Sequence, residues 1–152
     1  NHMTASIGSD LYFTRIIDER FPDFESVIPK DNDKELTVDK SLLLSAVRRV
    51  SIFSNRSTHQ IAIRLTKNRI QITTEDPEKS SKAQEEIKGE FNGDDLVIGY
   101  NASYLKDILS HVEGDQVVIK LKTPISAALF YPATQKEKSN LTMLLMPIRL
   151  ND

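Results

Sequence analysis

The side chains in this sequence that could do chemistry are few and poorly matched to one another. Of three histidines, His2 stands in an opening Asn1-His2-Met3 that reads as the remnant of an expression tag, which leaves His59 and His111. His59 falls at a strand start and His111 near a helix end, where an imidazole meets the terminal carbonyls; no nucleophile motif stands beside either. The acid pairs Glu85-Glu86 and Asp94-Asp95 are adjacent in sequence, so on a strand their carboxylates point to opposite faces and do not readily share a substrate proton. Only five glycines are available to build a phosphate-cradling loop, and neither that motif, a His-Glu-x-x-His pair nor a calcium-loop series is present. Cysteine is absent, which excludes disulfides and thiolate metal sites and fits a reducing cytoplasm. The expectation is a protein with no catalytic residues, no metal and no cofactor. A hydrolase using His59 or His111 is the alternative, and it requires an aligned acid in a concave site.

With 20 basic and 22 acidic residues the net charge is −2, so no overall positive field drives nucleic-acid binding and any such contact has to be local. Charge is placed unevenly. Lys40 to Phe53 holds Lys40, Arg48 and Arg49 with no acid, whereas Glu75 to Glu90 holds six acids and three lysines. No stretch approaches the roughly 20 apolar residues of a membrane span.

The elements that must position these groups follow from periodicity. Leu11 to Arg20 reads as a short strand, and Phe21 to Asp33 as a polar connector. Strand Glu35 to Val38 runs into Asp39, a good helix N-cap, and then a helix whose stripe is Leu43, Ala46, Val47, Val50 and Phe53, with Arg48 and Arg49 off it. Ile61, Ile63 and Leu65, a Lys67-Asn68 turn, then Ile70 and Ile72 form a hairpin closed by Pro77. A polar edge strand follows from Ala83 through Gly89 to Phe91, ended by Asn92-Gly93. The order then repeats: strand Leu96 to Tyr100, N-cap Asn101, a helix with Leu105, Ile108, Leu109 and Val112 ended by Gly114, and strands Gln116 to Leu121, Ile125 to Tyr131 and Leu141 to Ile148. A strand-helix-three-strand unit occurring twice predicts an α+β domain with two helices packed on antiparallel sheets.

Three motifs carry a resemblance. Leu144-Leu145-Met146-Pro147-Ile148-Arg149-Leu150 resembles the Met-Pro-Met-Arg-Leu ending of the bacterial DNA polymerase III beta subunit, the DNA sliding clamp. Thr14-Arg15-Ile16-Ile17-Asp18-Glu19-Arg20-Phe21-Pro22-Asp23-Phe24 is similar to that family's junction between middle and last domains, and Ile98-Gly99-Tyr100-Asn101-Ala102-Ser103-Tyr104-Leu105 to its second helix entry. The resemblance covers Leu11 to Leu150 and implies the DNA clamp fold. It divides the chain into a tag remnant and disordered start (1–10), the end of the middle domain with its connector (11–32) and the C-terminal clamp domain (33–152).

The resemblance further implies a processivity factor, one segment of a homodimeric ring that encircles duplex DNA without reading its sequence. Arg48, Arg49 and Lys106 would face the DNA. Partners would be the DNA polymerase III catalytic subunit, the clamp loader, other polymerases and repair proteins, each docking a short motif with apolar anchors and a glutamine. The matching cleft residues are Pro22, Val27, Asn101, Tyr104, Ile125, Leu144, Met146, Pro147, Ile148 and Arg149, an aliphatic and aromatic lining with polar groups at its rim. The subunit contact would use Ile52 and Phe53, with Glu85 or Glu86 pairing with bases across the ring. Departures from the family pattern are Ser26, Ile148 in place of a methionine, and the Asn151-Asp152 extension. On the residues alone, a protein-interaction domain unrelated to replication remains open.

Overall fold

The computed structural model describes residues 1–137 and 140–150; the Asn151-Asp152 extension lies outside the described residues. Strands β1 (His2–Ile7) and β2 (Asp10–Arg15) form a separate antiparallel hairpin. The stretch expected to be a disordered start is therefore a strand. It forms because Gly8, at φ +61°, turns the chain back on itself and all six residues of each strand find a partner. The strand expected to run to Arg20 ends at Arg15. A short 3-10 turn, Phe24–Val27, then leads toward β3 (Lys34–Asp39).

The rest is the duplicated unit. Asp39 accepts the Leu42 N–H at 2.8 Å and starts α1 (Lys40–Ser51); the donated bonds from Leu42 and Ser41 hold its carboxyl below the usual aspartate range. Next come β4 (Gln60–Thr66), β5 (Arg69–Asp76), β6 (Ser81–Lys88) and β7 (Glu90–Asn92). The second round is β8 (Leu96–Asn101), α2 (Ala102–His111), β9 (Gln116–Leu121), β10 (Ala128–Pro132) and β11 (Met143–Leu145). The single strand expected from Ala83 to Phe91 is two. Gly89 lies between them, where a Cβ would collide with the Ile70 side chain, and the chain there passes from one sheet to the other. The last two strands are shorter than their apolar runs: Ile125 lies in the turn before β10, and beyond Leu145 only Ile148, among the described residues, forms a further bridge.

One sheet has the order β11-β10-β9-β3-β7 and the other β6-β5-β4-β8. Each half thus lends its first strand to the other: β3 pairs with β9 and β8 with β4. The helices lie side by side and run antiparallel, since Lys40 at the start of α1 donates to the Val112 carbonyl just past α2, at 3.0 Å. Leu43, Ala46, Val47 and Val50 of α1 and Leu105 and Leu109 of α2 are buried against the inward strand residues. Phe53 departs from the expected stripe and is 45% exposed. The helix has ended at Ser51, so helical spacing no longer turns position 53 inward.

Tyr100 of β8 is buried to 2% exposure, stacked edge-on to Phe130 of β10, and its hydroxyl has no partner among the described residues. A buried unpaired hydroxyl costs about 1–3 kcal/mol, so Tyr100→Phe is expected to raise stability by about 1 kcal/mol, read from the urea midpoint. Burial also pushes this phenol well above the ordinary tyrosine range. The folded chain keeps a proton that the unfolded chain releases above about pH 10, so stability falls as pH rises past that point. The phenylalanine variant should show a shallower fall.

Candidate functional site

Four pieces of chain meet around the end of the β10–β11 pair. Asn32, at the end of the connector, donates to the carbonyls of Lys120 (2.9 Å) and Ala127 (3.1 Å). The neighbouring Asp31 pairs with Lys122, which holds the Asp31 carboxyl below its ordinary range. The connector is thereby fastened beside the turn that carries Ile125, five residues beyond Val27. Ala128 lies opposite Leu145 in the register, so Met146 extends past the start of β10 on the side where Ile125 stands. Ile148 then donates its N–H to the Gly99 carbonyl of β8 at 2.9 Å, which brings the chain end to the strand that leads into Asn101 and Tyr104.

Several large apolar side chains on these pieces are left uncovered. Tyr104 is 65% exposed, Ile125 61% and Met146 59%, with Val27 also open, while Leu144, Pro147 and Ile148 are half-buried. Arg149 is exposed at the rim. Pro22 sits in the exposed connector, and its carbonyl accepts the Phe24 N–H at 2.9 Å. Asn101, expected at the cleft, makes contacts within the fold. Its side-chain oxygen accepts the Ser103 and Tyr104 N–H groups at the start of α2, and its amide donates to the Thr58 carbonyl at 3.1 Å, so both ends are engaged by the fold.

The residues expected to face DNA are not equivalent. Arg48 is exposed on α1. Arg49 is held in the chain itself by both carboxylate oxygens of Glu85, its Nε at 3.0 Å from one of them. The guanidinium keeps the Glu85 carboxyl below the usual glutamate range, so the pairing is lost only as pH falls through that lowered value. Within the folded chain, then, neither Arg49 nor Glu85 is a free charge. Sequence spacing could not reveal it, since the partners lie on a helix and an edge strand 36 residues apart. Lys106 is half-buried and donates to Ser51 Oγ across the helix pair at 3.3 Å.

At the opposite edge of the four-stranded sheet from β8, Ile52 (76% exposed) and Phe53 sit beside edge strand β6, tied to it by the Ser81 hydroxyl on the Phe53 carbonyl at 3.2 Å. Glu86 points away from them, toward Arg69 at 3.1 Å.

The two histidines are not brought together. The His59 carbonyl receives the first N–H of α2 and His111 is that helix's last residue, placing them roughly 15 Å apart along it. The His111 Nδ1 lies 2.8 Å from the Asp107 carbonyl, the helix-end contact expected. Gly99 is the residue that sequence reasoning passed over. Its signal was a glycine inside an otherwise apolar strand, which marks a close approach of another backbone.

A duplicated α+β domain with two helices across paired sheets, open edges and an uncovered apolar surface by its last strand defines the clamp type of fold. The chain belongs to the family described as DNA polymerase III beta subunit, C-terminal domain, whose profile matches residues 25–149. It is 33% identical over 150 residues to the beta sliding clamp of Pseudomonas aeruginosa, covering 99% of this chain and 40% of that one. A crystal structure of the DNA polymerase sliding clamp from the same organism superposes with a TM-score of 0.86 at 34% identity, covering 98% of this chain and 40% of its own. Another structure of a Pseudomonas aeruginosa sliding clamp, bound to griselimycin, gives a TM-score of 0.85 at 34% identity, over 98% of this chain and 39% of that one. This chain thus spans about two fifths of the length of the curated relatives it matches.

Proposed function

We propose that this chain is the last domain of a sliding clamp, a cytoplasmic, non-catalytic ring segment that helps to hold replication enzymes on duplex DNA. The observation that carries this reading is the exposure of the large apolar side chains Tyr104, Ile125 and Met146, which stand on the first turn of α2, the turn before β10 and the segment after β11. A closed ring cannot leave a long duplex, so phosphate contacts can be weak enough to slide; Arg48 and Lys106 serve that role, with Arg49 restrained by Glu85. The mild net charge of −2 is consistent with retention by topology rather than by affinity. Residues 11–32 belong in this reading to the preceding domain and its connector. Ile52, Phe53 and the β6 edge form the contact with the next subunit of a homodimer.

Guests of the groove are short motifs from polymerases, the clamp loader and repair proteins, in which apolar anchors bury against Met146, Ile125 and Tyr104. Griselimycin, held by the Pseudomonas aeruginosa relative, is taken to bind here too. Titrating the isotopically labelled chain with griselimycin, and with a synthetic peptide carrying a glutamine and apolar anchors, is expected to shift the amides of Tyr104, Met146 and Ile148. Shifts confined to β6 or to the outer faces of the helices would overturn the assignment.

A further inference from the structure

Gly99 is buried although it carries no side chain, and its φ lies outside the left-handed region, so backbone conformation is not what requires a glycine there. Close approach is. A Cβ at this position would stand 2.6 Å from the Ile148 carbonyl oxygen and 2.7 and 2.9 Å from Cδ2 and Cγ of Leu150. The leucine could rotate away, but the carbonyl belongs to the residue whose own N–H is bonded to the Gly99 oxygen at 2.9 Å, and moving it breaks that bond. Ala62, the cross-strand partner of Gly99 on β4, is also small, and Leu150 borders the same hollow on the outer face of this sheet. The chain end therefore has a seat, made of two small residues, into which Leu150 drops while Ile148 bridges to the edge of β8.

We infer that Gly99 is a positioning residue for the groove: by having no side chain it lets residues 148–150 seat on β8, and that seat fixes where Met146, Pro147 and Ile148 stand. The role rests on the peptide-groove reading above. Between Leu145, held by β10, and Ile148, held by Gly99, only Met146 and Pro147 intervene. With both ends fastened the exposed Met146 has little freedom; with the Gly99 end released it is part of a loose terminus, and ordering it again on binding lowers affinity.

The test is a cycle of four full chains or chains cut after Pro147: each with and without Gly99→Ala. In the full chain Gly99→Ala is expected to speed exchange of the Ile148 amide and to weaken griselimycin binding about tenfold, with an unfolding midpoint close to that of the parent. The cut chain, which also loses the groove residues Ile148 and Arg149, should bind at least as weakly as the Gly99→Ala chain, and the substitution should weaken it no further, because the seat is then already empty. An equal loss of binding in both backgrounds would mean that alanine acts through the sheet itself, and would overturn the inference. So would unchanged Ile148 protection, or undiminished binding by full-length Gly99→Ala. If the parent chain does not bind while the Ile148 amide still opens in the variant, the groove reading fails and Gly99's part in binding falls with it, an outcome distinct from the others.

Discussion

Replacing Phe130 by alanine is expected to cost about 3–5 kcal/mol, the range for removing a large aromatic from a packed core. Phe130 is the largest of the fully buried side chains. It rises from β10 in one sheet and meets Tyr100 from β8 in the other, ring centroids 6.5 Å apart and planes inclined at 67°. Around the same small void stand Leu43 of α1, Leu105 of α2 and Leu121 of β9, so both halves of the duplicated unit are joined at this ring. The hollow left by alanine would be lined by apolar groups held in place by two hydrogen-bonded sheets, which cannot collapse to fill it. Urea unfolding followed by far-ultraviolet circular dichroism measures the loss, and a change below about 1 kcal/mol would mean that the two sheets do not share a core at this point. For a domain of this size, a loss of several kcal/mol is a large part of the total stability.

A second large effect is expected on binding rather than folding. Met146→Asp should weaken griselimycin binding on the order of 100-fold while leaving the unfolding midpoint nearly unchanged. Full burial of a methionine contributes about 1.5–3 kcal/mol, and an unpaired carboxylate in an apolar contact adds its own desolvation cost. Stability is spared because Met146 is more than half exposed and lies outside β11, where it replaces no core contact. Titration calorimetry on the parent and the variant reads the change. Binding within threefold of the parent would place the guest elsewhere, and a collapse of the midpoint would mean that Met146 supports the fold after all.

These two substitutions separate the parts of the molecule that local sequence encodes from those that it does not. The α1 stripe of Leu43, Ala46, Val47 and Val50, the N-caps Asp39 and Asn101, and the strand Gln116 to Leu121 were legible because each depends on residues two to four apart. The same local signal misled at Phe53, where the helical spacing continues in the sequence after the helix has stopped, and at Ile125, an apolar residue that belongs to a turn. The first strand was missed because its residues alternate weakly, and only the return of the chain at Gly8 gives it a partner.

By itself the sequence determined the α+β class, the repeated strand-helix-three-strand order, the buried faces of both helices and, through the Met146-Pro147-Ile148-Arg149 ending, the family. Tertiary structure alone decided that each half lends its first strand to the other, that Gly89 passes the chain between sheets, that Arg49 is engaged by Glu85, and that the chain end seats on Gly99. The division has one physical cause. Helical and strand periodicity are set by neighbours along the backbone, whereas strand exchange, a long-range ion pair and a close backbone approach depend on residues that meet only after the chain has folded.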